Sequence, residues 1–78
     1  MTVKQLRDRL EILPQDAQVI LSNDEEGNGF SILECVQVGR YNKKTGDYGL
    51  AALTPELENE GYTKEDVVDG PLAVCLWP

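Results

Sequence analysis

The sequence contains no histidine, and this absence excludes several kinds of chemistry. Without His, neither a Ser–His nor a Cys–His catalytic pair can form, and the usual general base near neutral pH is missing. Zinc would need cysteine or carboxylate ligands alone, and Cys35 and Cys75 lie too far apart in sequence to form a recognised ligand pattern. Neighbouring carboxylates leave acid–base catalysis formally open, but nothing in the sequence favours it. We therefore predict that the protein is not an enzyme and uses no cofactor.

Cysteine and long hydrophobic segments are also scarce. Two cysteines in 78 residues are too few for a disulfide scaffold, and no secretory leader pattern is visible, so we expect a reducing cytoplasm. Apolar runs such as Val19–Leu21 are far shorter than the ~20 residues of a membrane-spanning helix. A chain of this length builds one small core, so we expect a single domain over residues 1–78.

Positive charge is sparse: seven Lys and Arg stand against fourteen Asp and Glu, which gives a net charge of −7. The acidic residues concentrate in residues 14–34 and 54–78, and a weakly basic stretch, 35–53, lies between them. Negative potential opposes binding to phosphate, so direct contact with nucleic acid or anionic lipid is disfavoured and a basic partner is attracted. The simpler interpretation, that an acidic surface keeps the protein soluble, stays open.

The first residues predict an amphipathic helix over 3–13. Thr2 and Gln5 have the spacing of a capping box, and Pro14 ends the segment. Apolar residues recur at intervals of three and four, which is the period of one helix face: Val3, Leu6, Leu10 and Leu13.

The middle of the chain predicts three strands in meander order. Apolar, β-branched segments at 17–22, 30–41 and 48–53 are separated by Gly-, Asn- and Asp-rich turns at 23–29 and 42–47. We expect the first turn to form the tip of a hairpin.

The last third predicts two short helical turns and a closing strand. Thr54 and Thr63 are placed to cap the turns, and Gly61 is placed to end the first. Residues 72–77 are apolar on both faces, which favours an interior position in a sheet. The expected fold is α+β: the N-terminal helix packs on a small, mainly antiparallel four-stranded sheet, with short helical turns before the last strand.

The loop 23–29 resembles half of a calcium site. Asp24, Glu26 and Asn28 place oxygen atoms at alternate positions, and Gly29 suits a sharp turn. The second half does not match, because the twelfth position is Cys35 instead of Glu. A small-ligand or calcium-binding module centred on this loop is the alternative function, and a solvated acidic hairpin loop is the structural alternative.

Three segments carry a resemblance to a known group. The segments are Leu10-x-x-Leu13-Pro14-x-Asp16-Ala17-x-Val19, then Ser22-x-Asp24-x-Glu26-Gly27-Asn28-x-Phe30-Ser31, and finally Asp69-Gly70-x-x-Ala73-Val74-x-Leu76-Trp77-Pro78. Together they resemble a family of small, acidic, uncharacterised proteins encoded by bacteriophages and prophages. The resemblance implies a phage source and the class of small proteins that bind host machinery, including defence systems. It implies no catalytic residue.

Charge and resemblance together predict a non-catalytic interaction protein. We expect it to bind and inhibit a bacterial host protein with a basic surface, in the host cytoplasm, as an anti-CRISPR or other anti-defence protein. Mimicry of nucleic acid is the stronger version and requires carboxylates spread over one face. A homodimer stays open, since strand 72–77 could pair with a second copy if it lay at an edge. The expected partner-binding residues are Asp24, Glu25, Glu26, Glu56, Glu58, Glu60, Glu65, Asp66, Tyr41 and Tyr48.

Overall fold

A computed structural model describes all residues from Met1 to Pro78 and confirms the α+β class. The chain forms two compact units, one of residues 1–34 with Pro78 and the other of residues 35–77. The single domain stays a prediction, and each unit is described by itself. The elements in chain order are α1 (Val3–Glu11), β1 (Ile20–Ser22), β2 (Phe30–Ile32), β3 (Cys35–Asn42), β4 (Asp47–Gly49), α2 (Pro55–Asn59), a 3-10 helix (Lys64–Asp66) and β5 (Leu72–Trp77).

Helix α1 begins at the predicted capping box and ends two residues before the predicted end. Thr2 accepts a hydrogen bond from the Gln5 amide, and the Gln5 side chain accepts one from the Thr2 amide. At the other end, the Gln15 amide group donates to the carbonyl oxygens of Leu10 and Leu13, at 3.0 and 2.7 Å. These carbonyl groups would accept hydrogen bonds from backbone amides if the helix continued. Because the Gln15 side chain donates to them instead, the helix stops before Pro14.

The first unit also contains the predicted hairpin. Strands β1 and β2 pair in antiparallel register, with Leu21 opposite Ser31. The Asn23 amide donates to the Gly29 carbonyl at 2.9 Å and closes the loop, and Gly27 adopts a φ of +73° that favours glycine. The first predicted strand is shorter than expected, because ladder pairing begins only at Ile20.

The second unit is built on a three-stranded antiparallel sheet with the order β4-β3-β5. Tyr41 lies opposite Tyr48 in the β3–β4 hairpin, and Val38 lies opposite Val74 in the β3–β5 pair. The helices between β4 and β5 start at the predicted threonines: Thr54 accepts from the Leu57 amide, and Thr63 forms a capping box with Asp66. Gly61, at a φ of +101°, follows α2 as expected.

Two predictions about strands are wrong. Segment 30–41 is not one strand, because the β1–β2 ladder ends where the Leu33 amide donates to the Val19 carbonyl, and β3 then pairs in a different sheet. The strand predicted at 48–53 is limited to β4, since Leu50 leaves β3 and forms a parallel bridge with Val67. The sheet regions therefore comprise five strands in two sheets instead of four in one.

Strand β5 lies at an edge of its sheet, and the predicted interior position is wrong. An interior strand has a paired strand on each side. Strand β5 pairs only with β3, because β4 pairs with the opposite edge of β3. The apolar residues on both faces of β5 therefore did not mean that both of its edges are paired. The face of a strand and its edges are separate properties, and the sequence pattern reports only the faces.

No hydrophobic side chain is fully buried, so the small single core expected from the chain length is not found. Gly39 alone belongs to the buried class. One face of the β3–β5 pair carries Arg40 and five aliphatic residues that stay substantially exposed: Val36, Val38, Leu72, Val74 and Leu76. Packing of α1 on a sheet stays a prediction. No helix has the length and apolar character required to cross a bilayer.

Candidate functional site

The second unit carries an open groove of about 420 Å³ that is rich in carboxylates. It lies between the turn that joins β3 to β4 and the segment that follows the 3-10 helix. We call it the acidic groove, and its acidic members are Asp47, Glu65, Asp66 and Asp69. The other lining residues are Asn42, Thr45, Tyr48, Val67 and Val68.

Backbone contacts hold the two walls of the acidic groove together. The Leu50 amide donates to the Asp66 carbonyl at 3.0 Å, and the Val68 amide donates to the Leu50 carbonyl at 3.3 Å. The Asn42 side chain joins the walls at the other end by donating to the Asp69 carbonyl at 2.9 Å. A Cβ on Gly49 would approach the Asp66 carbonyl oxygen to 2.8 Å, so the close approach of the walls requires glycine there.

Local capping bonds orient the acidic side chains on one wall. Asp66 accepts from the Thr63 amide at 2.8 Å through Oδ2, which fixes its carboxylate at the start of the 3-10 helix. The Glu65 amide donates to the Thr63 hydroxyl at 3.3 Å, while the Glu65 carboxylate makes no hydrogen bond within the chain. Glu65 is therefore free to pair with an incoming cation, whereas Asp66 has one oxygen already engaged.

No Lys or Arg of the chain forms an ion pair with a carboxylate of the acidic groove, although Lys43, Lys44 and Lys64 lie on the segments that line it. The only ion pair in the structure joins Arg7 to Asp8 at 3.9 Å, and it lies in the other unit. Arg40, which lies on β3, donates instead to the carbonyl oxygens of Ala51 and Gly70, at 2.8 and 3.0 Å. Because none of the four carboxylates is ion-paired within the chain, they are available to lysine or arginine side chains of a partner.

An aromatic cluster that includes the groove residue Tyr48 spans the three strands of this sheet. The rings of Tyr48 and Trp77 meet edge to face with their centroids 6.0 Å apart. The Gln37 side-chain oxygen accepts from the Tyr48 hydroxyl and from the Trp77 indole nitrogen, both at 3.2 Å. Desolvation raises the pKa of Tyr48, and the neighbouring Cys75 and Cys35 raise it further. Tyr48 is therefore held as a neutral donor within the cluster.

The predicted partner-binding residues of this unit occupy different environments. Glu65, Asp66 and Tyr48 line the acidic groove. Tyr41 lies opposite Tyr48 on the same sheet face and is 41% exposed, so its ring is available for contact. On α2, Glu56 and Glu60 are one helical turn apart, and Glu58 points to another side of the helix. The glutamates of this helix do not line the groove.

The predicted residues of the first unit lie in the 23–29 loop. Asp24 accepts from the backbone amides of Glu26 and Asn28, at 2.8 and 3.2 Å. The bonds from Asn28 and then Glu26 lower the pKa of Asp24 below its usual 3.8, and desolvation opposes them only partly. The Asp24 carboxylate therefore stabilises its own turn. Glu25 is exposed and makes no side-chain hydrogen bond.

Sequence reasoning missed Asp47 and Asp69 as members of the site. Asp47 belongs to the stretch that is basic on balance, and Asp69 opens the segment that resembles the phage family, which assigns it no binding role. The fold brings them together because β4 runs beside the segment after the 3-10 helix. Their one sequence signal is the acidic composition, which does not distinguish them from other carboxylates.

The chain offers no grouping suited to a metal ion. No set of three or more His, Cys, Asp or Glu is arranged to hold one, and Oδ1 of Asp24 already accepts two backbone amides. Cys35 and Cys75 are free and lie diagonally on one face of the β3–β5 pair. The absence of catalysis and of a cofactor stays a prediction.

No protein-family model matches the chain, and no curated protein or solved structure is significantly similar to it. The phage family named from three sequence segments therefore stays a prediction. Functional inference rests on the geometry and charge of the acidic groove.

Proposed function

We propose that the protein is a non-catalytic, phage-encoded interaction protein that binds and inhibits a bacterial host protein in the host cytoplasm. The partner has a basic surface, and a CRISPR effector or another nucleic-acid-binding defence protein has the required chemistry. The single observation that carries the proposal is the acidic groove, where four carboxylates line one concave surface and none forms an ion pair within the chain. The phage source and the class of target are supported by the sequence resemblance.

The acidic groove supports binding of lysine or arginine side chains. Most ligand pockets for small molecules are apolar, whereas this groove is lined largely by acidic and amide side chains. Arginine forms bidentate bonds with carboxylates, so a basic surface that normally holds phosphates could hold these carboxylates in their place. The protein would then inhibit its partner by occupying the nucleic-acid site without itself binding nucleic acid.

Carboxylates outside the groove support fast association. Glu56, Glu58 and Glu60 are exposed on or beside α2, and Glu25 and Glu26 are exposed in the 23–29 loop. Exposed charges outside the contact surface mainly raise the association rate and contribute little to affinity once the complex has formed. Tyr41 is exposed and can anchor a contact, whereas Tyr48 is engaged with Trp77 and Gln37.

The test compares two variants with the same change in net charge. D47N/E65Q/D69N neutralises three carboxylates of the acidic groove whose side chains make no hydrogen bond within the chain, and it leaves the Asp66 cap in place. D8N/E11Q/D16N removes the same charge from the first unit. Binding to a panel of purified CRISPR effector complexes is measured by biolayer interferometry, and inhibition is measured as loss of target-DNA cleavage.

We expect the groove variant to weaken binding about tenfold, since three exposed ion pairs contribute roughly 0.2–1 kcal/mol each. The control variant should slow association only slightly. Wild-type affinity should fall as salt rises, because the screening length drops from ~30 Å at 0.01 M to ~3 Å at 1 M. Affinity that stays constant over this range, equal effects of the two variants, or failure to bind every effector would contradict the proposal.

A further inference from the structure

We propose that the protein forms a homodimer in which β5 of one copy pairs with β5 of another in antiparallel orientation. The inference concerns the β5 edge and does not depend on the acidic groove or on the identity of a host partner. Strand β5 pairs with β3 on one side only, so its second edge has no strand beside it. An unpaired edge presents backbone donors and acceptors that another strand can satisfy.

The hydrogen-bond pattern identifies the residues that face the open edge. The Tyr41 amide donates to the Pro71 carbonyl at 3.1 Å, which makes these two residues a hydrogen-bonded pair in the β3–β5 ladder. Hydrogen-bonded and non-hydrogen-bonded pairs alternate in antiparallel sheets, so the backbone groups of alternate residues point away from β3. The residues whose N–H and C=O groups point outward are Leu72, Val74 and Leu76.

These outward residues are self-complementary. Their order, Leu72-Val74-Leu76, reads the same in both directions, so a two-fold axis at Val74 places valine opposite valine and leucine opposite leucine. Their side chains share one face of the sheet and are 65%, 40% and 37% exposed, in chain order. On β3, Val36 and Val38 lie beside Leu76 and Val74 at 62% exposure each, and Arg40 lies beside Leu72, so dimerisation joins two largely aliphatic faces into one.

The strand lacks the features that normally prevent edge pairing. It carries no charged residue and no bulge, and its register with β3 is uninterrupted from Leu72 to Trp77. Proline occurs only outside the strand, at positions 71 and 78. Pro78 has no N–H group, so the new ladder ends where the outward residues end. The open edge of β5 therefore fits a second copy of β5. The two copies form three hydrogen-bonded residue pairs, and the ladder ends before Pro78.

Size and charge predict a weak dimer with a particular salt dependence. Contact through one six-residue strand per copy belongs to the class of interfaces below about 1,200 Å² in total, so the dissociation constant should be on the order of micromolar. Each copy carries a net charge of −7, and the contacting strands carry none. Salt screens the repulsion between copies, so it should strengthen the dimer, whereas it should weaken binding of a basic partner.

The test is sedimentation equilibrium of the full chain between about 1 μM and 1 mM, a range that brackets the expected dissociation constant. Val74→Pro removes the outward N–H while leaving the β3 ladder intact, because proline is tolerated where an edge N–H faces solvent. Val74→Thr keeps the N–H and the β-branched shape and serves as the matched control. We expect the proline variant to raise the dissociation constant about ten- to hundredfold, and the threonine variant to change it less than about threefold.

Amide hydrogen exchange of the wild-type chain provides the second measurement and needs no variant. The amides of Leu72, Val74 and Leu76 should become protected as concentration rises, while those of Ala73 and Cys75 should be protected at every concentration. A chain that stays monomeric at about 1 mM, a dimer whose outward amides stay unprotected, or a dimer that weakens with salt would overturn the proposal. None of these results would affect the test of the acidic groove.

Discussion

At the scale of single residues, Gly39 is a position in the sheet of the second unit that requires glycine. It is the one residue in the buried class, and the Tyr48 ring lies directly over it. A Cβ there would meet Tyr48 carbon atoms at 2.6 and 2.7 Å and would also contact the Gly49 carbonyl oxygen. Backbone atoms cannot move aside as a flexible side chain can, so the position has no room for a methyl group.

We expect Gly39→Ala to lower the free energy of unfolding by about 1–3 kcal/mol, because the added methyl group forces Tyr48 and β4 to shift. Gly29→Ala is the control, since the Cβ there would meet only the Asn23 side chain, with its amide nitrogen nearest at 3.0 Å. Urea denaturation of both variants provides the measurement. Equal losses of stability in the two variants would show that crowding at Tyr48 is not the cause.

Asp24 is the residue whose titration reports the integrity of the 23–29 loop. Its carboxylate accepts backbone amides when ionised and loses these bonds when protonated. Because the folded-state pKa lies below the usual 3.8, the stabilisation is present above that pH and is lost as pH falls through the lower, folded value. The loop should therefore loosen only below pH 3.8.

Carboxyl-carbon NMR should give an Asp24 titration midpoint below 3.8, with the amide signals of Glu26 and Asn28 moving at the same midpoint. Asp24→Asn keeps an acceptor oxygen but cannot ionise, so the two amides should no longer report this titration. A wild-type midpoint at or above 3.8 would contradict the hydrogen-bonding role of the carboxylate.

At the scale of elements, α1 depends on its ends more than on its packing. Its nine residues are fewer than an isolated helix needs in water, and Val3 and Leu10 on its apolar side are 62% and 42% exposed. The capping box at Thr2 and the Gln15 bonds at the other end supply the partners that its terminal backbone groups need.

Thr2→Ala should therefore destabilise α1 by about 0.5–2 kcal/mol, the range found when a capping residue is replaced by alanine. Thr2→Ser retains the hydroxyl group and should restore most of the helix. Cα chemical shifts and amide exchange across α1 measure both effects. Unchanged shifts in the alanine variant would mean that contacts other than the cap maintain the helix.

The elements that sequence predicted best are those fixed by short-range chemistry. Three threonine caps and two glycine turns were placed correctly, because each depends on residues within a few positions. Segment 30–41 was predicted as one strand because its apolar pattern does not reveal that pairing changes from β1 to β5 near Leu33. Strand pairing is a long-range choice, and local periodicity carries little information about it.

At the scale of the whole molecule, the net charge of −7 is the dominant property, and it is shared between the two units. With one weak ion pair in the chain, most carboxylates repel one another without compensation. Repulsion of this kind opposes the folded state and is relieved by salt, since the screening length falls from ~30 Å at 0.01 M to ~10 Å at 0.1 M.

Sodium chloride should therefore raise the melting temperature by a few degrees over this range, as expected for a relief of about 0.5–1 kcal/mol in a domain of this size. D8N/E11Q/D16N reduces the net charge to −4 and should respond less, which separates charge screening from other effects of salt. Circular dichroism at fixed protein concentration provides the measurement. An equal response in both proteins would exclude self-repulsion as the cause.

The sequence by itself determined the α+β class, the caps, the turns and the excess of acidic residues, because each depends on composition or on neighbours along the chain. Only the tertiary structure placed Asp47 and Asp69 beside Glu65 and Asp66, since the bridge between Leu50 and Val67 joins segments that are distant in sequence. The tertiary structure also put β5 at an edge. Long-range pairing decides which charges converge and which backbone groups stay free, and a linear pattern of charge and hydropathy does not contain that choice.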